Sequence, residues 1–211
     1  MAEFNLYSFA QSGNAYKAAL MLNLCGADWS PRFVDYFNGE TRTPAYRAIN
    51  VMGEVPVLEH GDIRITQSGV ILDYLAEHFG KFRWTNDDER REVLRWLLFD
   101  NHKLTSYTAT WRYMLAFTDQ GKSPVAEAFG QRVRGALSVL NTHLQGKAFA
   151  LGDRPTIADI SMCGYLFFND EFGIEWTEYP NIGAWLARIR ALPGWQHPYQ
   201  LLPGHPLPAK R

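Results

Sequence analysis

The sequence has little cysteine, no block of basic residues and no long apolar run, and each shortage argues against a class of protein. Cys25 and Cys163 are the only cysteines in 211 residues. They form no C-x-x-C pair and no zinc spacing, which argues against a disulfide framework and for a reducing compartment. The formal net charge is -1, with no clustered lysine or arginine, so a broad electrostatic surface for nucleic acid is not expected. No run approaches the length of about 18 apolar residues that a membrane-spanning helix needs. The opening residues MAEFNLYSF lack a basic segment followed by an apolar core, so a cytoplasmic location is expected. Phosphate-loop and dinucleotide fingerprints are missing, and Gly13 and Gly53 read as isolated turn glycines. No metal-ligand spacing and no internal repeat is visible, and no metal is expected.

What is present is ordinary for a folded chain: 46% hydrophobic and 20% charged residues. Aromatics are plentiful, with 7 Trp, 10 Tyr and 13 Phe, enough to fill a core and line an apolar pocket. Glu3 to Phe9 is a strand candidate with Phe4, Leu6 and Ser8 on one face. A helix from about Gly13 to Leu24 follows, its buried face expected at Ala15, Ala18, Ala19 and Leu22, with Ser12 able to cap it and Gly26 ending it. Trp29 to Phe37 reads as a strand weakened by Pro31, and Pro44 to Ala48 as a short helix.

Residues Asn50 to Gly80 read as turn, strand, turn, strand, turn, helix. Val55 to Glu59 is a short strand containing Pro56, and a strand proline marks an edge, a bulge or a junction. His60-Gly61-Asp62 turns the chain into Ile63–Ile65. A helix opens near Gln67-Ser68, with Ile71, Leu72, Leu75 and Phe79 in one stripe before Gly80.

Beyond a linker at 81–87 the strand signals fade. Helical periodicity runs from Asp88 to about Phe117 and again from Val125 to Leu144. Thr156 and Asp159 have capping-box spacing at the start of another helix, and Ile182–Ile189 is a further short one. The proline-rich tail from Pro193 reads as loop. The expected organisation is a small α/β domain over 1–80 followed by a larger all-helical domain over 88–211.

Three segments in this order resemble the cytosolic glutathione transferase family, in particular its bacterial, serine-type members. They are LYSFAQSGNAYK (Leu6–Lys17), NVMGEVPVLEHGD with ITQSGVILDYLAEHFG, and LGDRPTIADISMCGYLFF (Leu151–Phe168). The resemblance covers nearly the whole chain. It implies an N-terminal thioredoxin-like domain and a C-terminal helical-bundle domain. It also implies a homodimer acting in detoxification, with glutathione as co-substrate and a small hydrophobic electrophile as the second substrate. One departure is Val51, where proline is usual after Asn50.

The resemblance assigns roles residue by residue. The bond between Val55 and Pro56 is expected to be cis, leaving the Val55 backbone to grip the cysteinyl part of glutathione. Gln67 and Ser68 are expected to hold the γ-glutamyl carboxylate at a helix start. Ser12 matches the catalytic serine, whose hydroxyl donates to the glutathione sulfur, although a plain helix cap is its structural alternative. Tyr7 is the rival in tyrosine-type members, and Asn14 could donate through its amide. A thiol near pKa 8.5 is only a few per cent ionised at neutral pH, and lowering that pKa by two units takes about 2.7 kcal/mol of differential interaction. Tyr107, Trp111 and Met114 are expected to line the electrophile pocket, and Arg112 to face an anionic substrate or solvent. Thr156 and Asp159 are expected to be structural. Peroxidase, disulfide-reductase, isomerase and ether-cleaving chemistry use the same glutathione grip, and a non-catalytic binding protein is the third reading.

Overall fold

The computed structural model describes residues 2–207. They form two compact units: the described residues up to Lys81 together with those from Pro193 onward, and Phe82–Leu192.

The first unit is built on a four-stranded mixed sheet of order β2-β1-β3-β4. Its strands are β1 (Phe4–Ser8), β2 (Trp29–Phe33), β3 (Val57–His60) and β4 (Ile63–Thr66). β1 runs parallel to β2 and antiparallel to β3, pairing Phe4 with His60 and Tyr7 with Val57. This is the thioredoxin-like arrangement. β2 lies at the sheet edge, where a proline such as Pro31 is tolerated. It is shorter than the sequence suggests, because past Val34 the chain turns into a loop held by the Glu40 carboxylate, which accepts from the Asp35 amide at 2.6 Å. β3 begins after Pro56, not at Val55, since ladder pairing starts at Val57.

Helix α1 (Gly13–Cys25) is buried nearly all round, not on one stripe. Its Ala15, Ala18 and Ala19 are fully buried, and so are Tyr16, Leu20 and Met21. The reason is the C-terminal segment. It was expected to be loop at the end of the helical domain, but it packs with the first unit instead and carries a short helix, Pro198–Leu201, labelled α9 below. Tyr16 donates its hydroxyl to Gln196 O at 2.8 Å, Ala10 N donates to Pro203 O at 2.7 Å, and Gln11 Nε2 donates to Gly204 O at 3.0 Å. Residues 208–211 of that tail lie outside the described residues. Helix α2 (Pro44–Ile49) is short, and α3 (Ser68–Phe79) ends at Gly80, whose positive φ of 62° suits glycine.

The second unit is helical: α4 (Asp87–Phe99), α5 (Thr105–Phe117), α6 (Pro124–His143), α7 (Ile157–Met162) and α8 (Pro180–Arg190), followed in the first unit by α9. The long run expected from Asp88 is interrupted by one wide π-turn at Asp100–Leu104. Fully buried Asp100 accepts there from Thr105 Oγ1 at 2.7 Å and Ser161 Oγ at 2.5 Å. Gly130 of α6 permits close approach to α5, since a Cβ at that position would stand 2.9 Å from the Trp111 ring.

The start of α7 is a buried capping box. Thr156 Oγ1 accepts from the Ala158 amide at 3.3 Å, and Asp159 Oδ2 accepts from the Thr156 amide at 2.8 Å. Asp159 Oδ1 also accepts from Ala150 N at 2.8 Å and from the Trp185 indole at 2.9 Å. Burial raises the Asp159 carboxyl pKa, against the pull of these donors. Replacing Asp159 by Asn turns an NH2 group onto donors. We expect a loss of about 1–3 kcal/mol in urea unfolding, and a loss under about 0.5 kcal/mol would contradict the box's role.

His143, in the last turn of α6, donates from Nε2 to Ala150 O at 2.7 Å, and its Nδ1 lies 3.2 Å from Lys147 Nζ. Desolvation, then the nearby Lys147 and Arg95, hold its pKa below the usual value despite the Ala150 bond. The unfolded chain therefore takes up more protons here, and stability falls as pH drops through the window between the ordinary and the lowered pKa. Urea unfolding between pH 7 and pH 5 should show a smaller decline for His143→Gln than for wild type, and equal declines would refute this assignment.

Candidate functional site

An open cleft in the first unit is lined by Asn14, Asn50, Glu54, Val55, Pro56, Gln67 and Ser68. Two helix starts meet there. α1 opens at Gly13 behind Ser12, and α3 opens at Ser68 behind Gln67. Ser68 Oγ lies 3.4 Å from Asn14 Oδ1, to which it donates. Helix N-termini present free amides and partial positive charge, so two of them at one cleft favour an anion. No side chain caps α3. Gln67 sits at the cap position with φ 69° and ψ 118°, a strained backbone for a non-glycine residue.

Ser12 is 5% exposed and accepts from the Ala15 amide at 3.1 Å. It is therefore the cap of α1. The bond uses an oxygen lone pair, and among the described residues the hydroxyl hydrogen has no acceptor. Capping and donation to an outside atom are compatible, because a hydroxyl both accepts and donates.

The opposite wall is the Val55–Pro56 junction, whose peptide bond is cis. Among the described residues the Val55 N–H and C=O have no hydrogen-bond partner. The loop before it is fixed by two side chains that sequence reasoning passed over. Asn50 Nδ2 donates to Glu54 O at 2.8 Å, its Oδ1 accepts from the Met52 amide at 3.1 Å, and the Tyr46 hydroxyl donates to Glu54 O at 3.0 Å. Burial, with Glu40 and Tyr7 nearby, pushes the Tyr46 pKa well above the usual phenol range, so it stays a donor. The available signal was Asn50 at a helix end, three residues before a turn glycine. Glu54 was also missed; its carboxylate faces the cleft and accepts from Gln67 Nε2 at 3.2 Å.

The remaining expected site residues have the following surroundings. Neither Tyr7 nor Ser12 is among the cleft-lining residues, but Ser12 sits two positions before Asn14, which is. Tyr7 projects from the sheet face opposite Leu6, and its hydroxyl donates to Glu59 at 3.4 Å. Burial, then the Glu59 charge, raise its pKa. Tyr107, Trp111 and Met114 lie on α5 in the second unit. Trp111 and Met114 are buried, Trp111 against Phe172 with ring centroids 5.9 Å apart. Tyr107 is half-buried beside Phe129 and under the Arg132 guanidinium. Arg112 does not face solvent. It is 2% exposed, bonds Glu171 through Nε and Nη2 at 2.8 Å, and lies 3.7 Å over the Phe168 ring.

With this geometry in hand, the chain can be compared with known proteins. The glutathione S-transferase N-terminal domain model matches residues 2–77, and the C-terminal domain model matches residues 100–193. A solved glutathione S-transferase from Pseudomonas fluorescens has TM-score 0.86 and 31% identity, over 92% of this chain and 98% of that one. One from Xanthobacter autotrophicus has TM-score 0.84 and 30% identity, over 92% and 95%. Glutathione S-transferase D7 of Drosophila melanogaster is 26% identical over 93% of this chain and 88% of its own length. The chain belongs to the glutathione S-transferase family of enzymes.

The placement of Tyr7 generates a test. Tyr7→Phe should leave glutathione affinity within about two-fold of wild type by calorimetry, since the part-buried hydroxyl is engaged with Glu59 and not with the cleft residues. A ten-fold loss would return Tyr7 to the site.

Proposed function

We propose that this chain binds glutathione in the cleft between the starts of α1 and α3 and holds its thiol as a thiolate for attack on a small apolar electrophile. The observation that carries this reading is the meeting of the two helix starts, with Ser68 on Asn14 at 3.4 Å, opposite a Val55 backbone with its hydrogen-bonding groups unused. An extended peptide can pair with the Val55 N–H and C=O as it would with a strand edge. The γ-glutamyl end of glutathione is zwitterionic. Its carboxylate suits the open amides of α3 with Ser68 and Gln67, and its ammonium suits the Glu54 carboxylate in the same cleft.

The chemistry follows from Ser12. Its unused O–H can donate to the sulfur while the start of α1 adds partial positive charge, and both stabilise the thiolate more than the thiol. Asn14 is the reserve donor. Removing the thiol proton and holding the nucleophile near an apolar partner supply the rate. Of the three α5 side chains, Tyr107 has surface to offer an apolar electrophile, while Trp111 and Met114 support the helix behind it. We further read the protein as a cytoplasmic homodimer acting in detoxification. No described helix is long and apolar enough to cross a membrane. Sedimentation should give twice the 24.1 kDa chain mass, and a monomer would overturn the dimer reading.

The test of the chemistry is a pair of variants followed by calorimetry, the ultraviolet thiolate band and pH–rate profiles against an activated aryl halide. Ser68→Ala should weaken glutathione binding about ten-fold or more, as loss of a charge-assisted hydrogen bond does. Ser12→Ala should keep binding, lose the thiolate band and lower the rate roughly 100-fold. Its rate should rise only at higher pH than in wild type, because the thiol must then ionise unaided. An unchanged band in Ser12→Ala would move the role to Asn14. No binding to wild type at millimolar glutathione would remove the proposal.

A further inference from the structure

Glu3, His60 and His78 meet at the end of the β1–β3 ladder opposite the cleft. Phe4, next to Glu3, pairs with His60 there, while Tyr7 pairs with Val57 at the cleft end. His78 stands near the C-terminal end of α3, whose other end lines the cleft. Glu3 Oε1 lies 3.3 Å from His60 Nε2 and 3.6 Å from His78 Nε2. All three potential ligand atoms fall within 4.8 Å of one another.

These separations are informative. Ligand atoms each about 2.0–2.2 Å from a tetrahedral zinc ion stand about 3.3–3.6 Å from one another. A well-formed N–H···O hydrogen bond is shorter, about 2.7–3.2 Å between heavy atoms. The two separations from Glu3 therefore match those of ligands around a shared centre as well as those of loose ion pairs, and the imidazole nitrogens lie within 4.8 Å of each other.

The surroundings hold the imidazoles in place. His60 Nδ1 lies 2.7 Å from the Tyr74 hydroxyl. With the Nδ1 hydrogen donated to that hydroxyl, the Nε2 lone pair is left for an ion, which is how outer hydrogen bonds orient metal-bound histidines. His78 stacks on Tyr74 at 21° between planes, and the Phe4 ring packs against both imidazoles at centroid distances of 4.3 and 5.5 Å. Side-chain exposures of 46% for Glu3, 23% for His60 and 33% for His78 leave a path for an ion.

The geometry points to a divalent transition-metal site made by Glu3, His60 and His78, with zinc suited to its two nitrogens and one carboxylate and water completing the shell. The ion joins the residue before β1 to the end of β3 and the last part of α3. Because the unfolded chain does not assemble these ligands, binding stabilises the folded form. The site is separate from the glutathione cleft and does not rest on the proposed activity.

The experiment is zinc titration of the full chain by calorimetry without glutathione, whose thiol would itself take the metal, with thermal unfolding in parallel. One zinc ion per chain with roughly micromolar or tighter affinity is expected. Glu3→Gln and His78→Ala should each weaken it about ten-fold or more and abolish the zinc-dependent rise in Tm. Both residues are at least one-third exposed, and circular dichroism confirms that each variant is folded; Glu3→Gln, which preserves shape, decides alone if His78→Ala is not. Absence of saturable binding below about 100 µM zinc, or wild-type binding by the folded variants, would overturn the site.

Discussion

A helix buried nearly all round must have its two ends answered, and α1 is such a helix. Its C-terminal end is closed by Gly26, whose N–H reaches back to Asn23 O at 3.1 Å. Its N-terminal end is answered by a single side-chain oxygen, that of Ser12. The sheet, α3 and the returning C-terminal segment all pack around this one element. Asn14, in its first turn, lines the cleft. The same constraint that lets the unit fold therefore leaves an electropositive opening at a fixed place.

The facing wall is rigid for a different reason. Proline at position 56 removes a ladder donor and delays β3 to Val57, so the Val55 backbone is left outside the sheet. A loop in that state is usually mobile. Here Asn50 and Tyr46 both converge on the Glu54 carbonyl, and buried Asn50 makes bonds at both ends of its amide. The unpaired hydrogen-bonding edge of Val55 is thus held in place by the Asn50 and Tyr46 side chains.

In the second unit, buried polar groups fix the helices. Asp159 gathers the Ala150 and Thr156 amides and the Trp185 indole onto one carboxylate. Asp100 ties the wide π-turn to Ser161 of α7, and Arg112 closes on Glu171 beneath an aromatic cluster. A buried charge is tolerated only when several partners share it. Arg112 shows the hazard of reading such groups from sequence, since an arginine on an amphipathic helix looks like a solvent or substrate contact.

Local information determined a good deal. Periodicity and punctuation gave the element types and order through α3, and the Thr156–Asp159 spacing announced the box at α7, because caps, turns and strand breaks are decided within a few residues. The cleft residues Val55, Pro56, Gln67 and Ser68 were legible for the same reason, as a proline junction followed by a helix start. What only the tertiary structure decided involves partners far apart in the chain. Helix α1 is buried nearly all round because residues near 196 and 203 return to cover it. Tyr7 leaves the cleft for Glu59, 52 positions away. Trp111 becomes core because Gly130 lets α6 approach. Glu3, His60 and His78 become neighbours because an antiparallel ladder and one helix end bring them together. No spacing rule records such meetings: they are set by packing, where the burial of one segment depends on where another comes to rest.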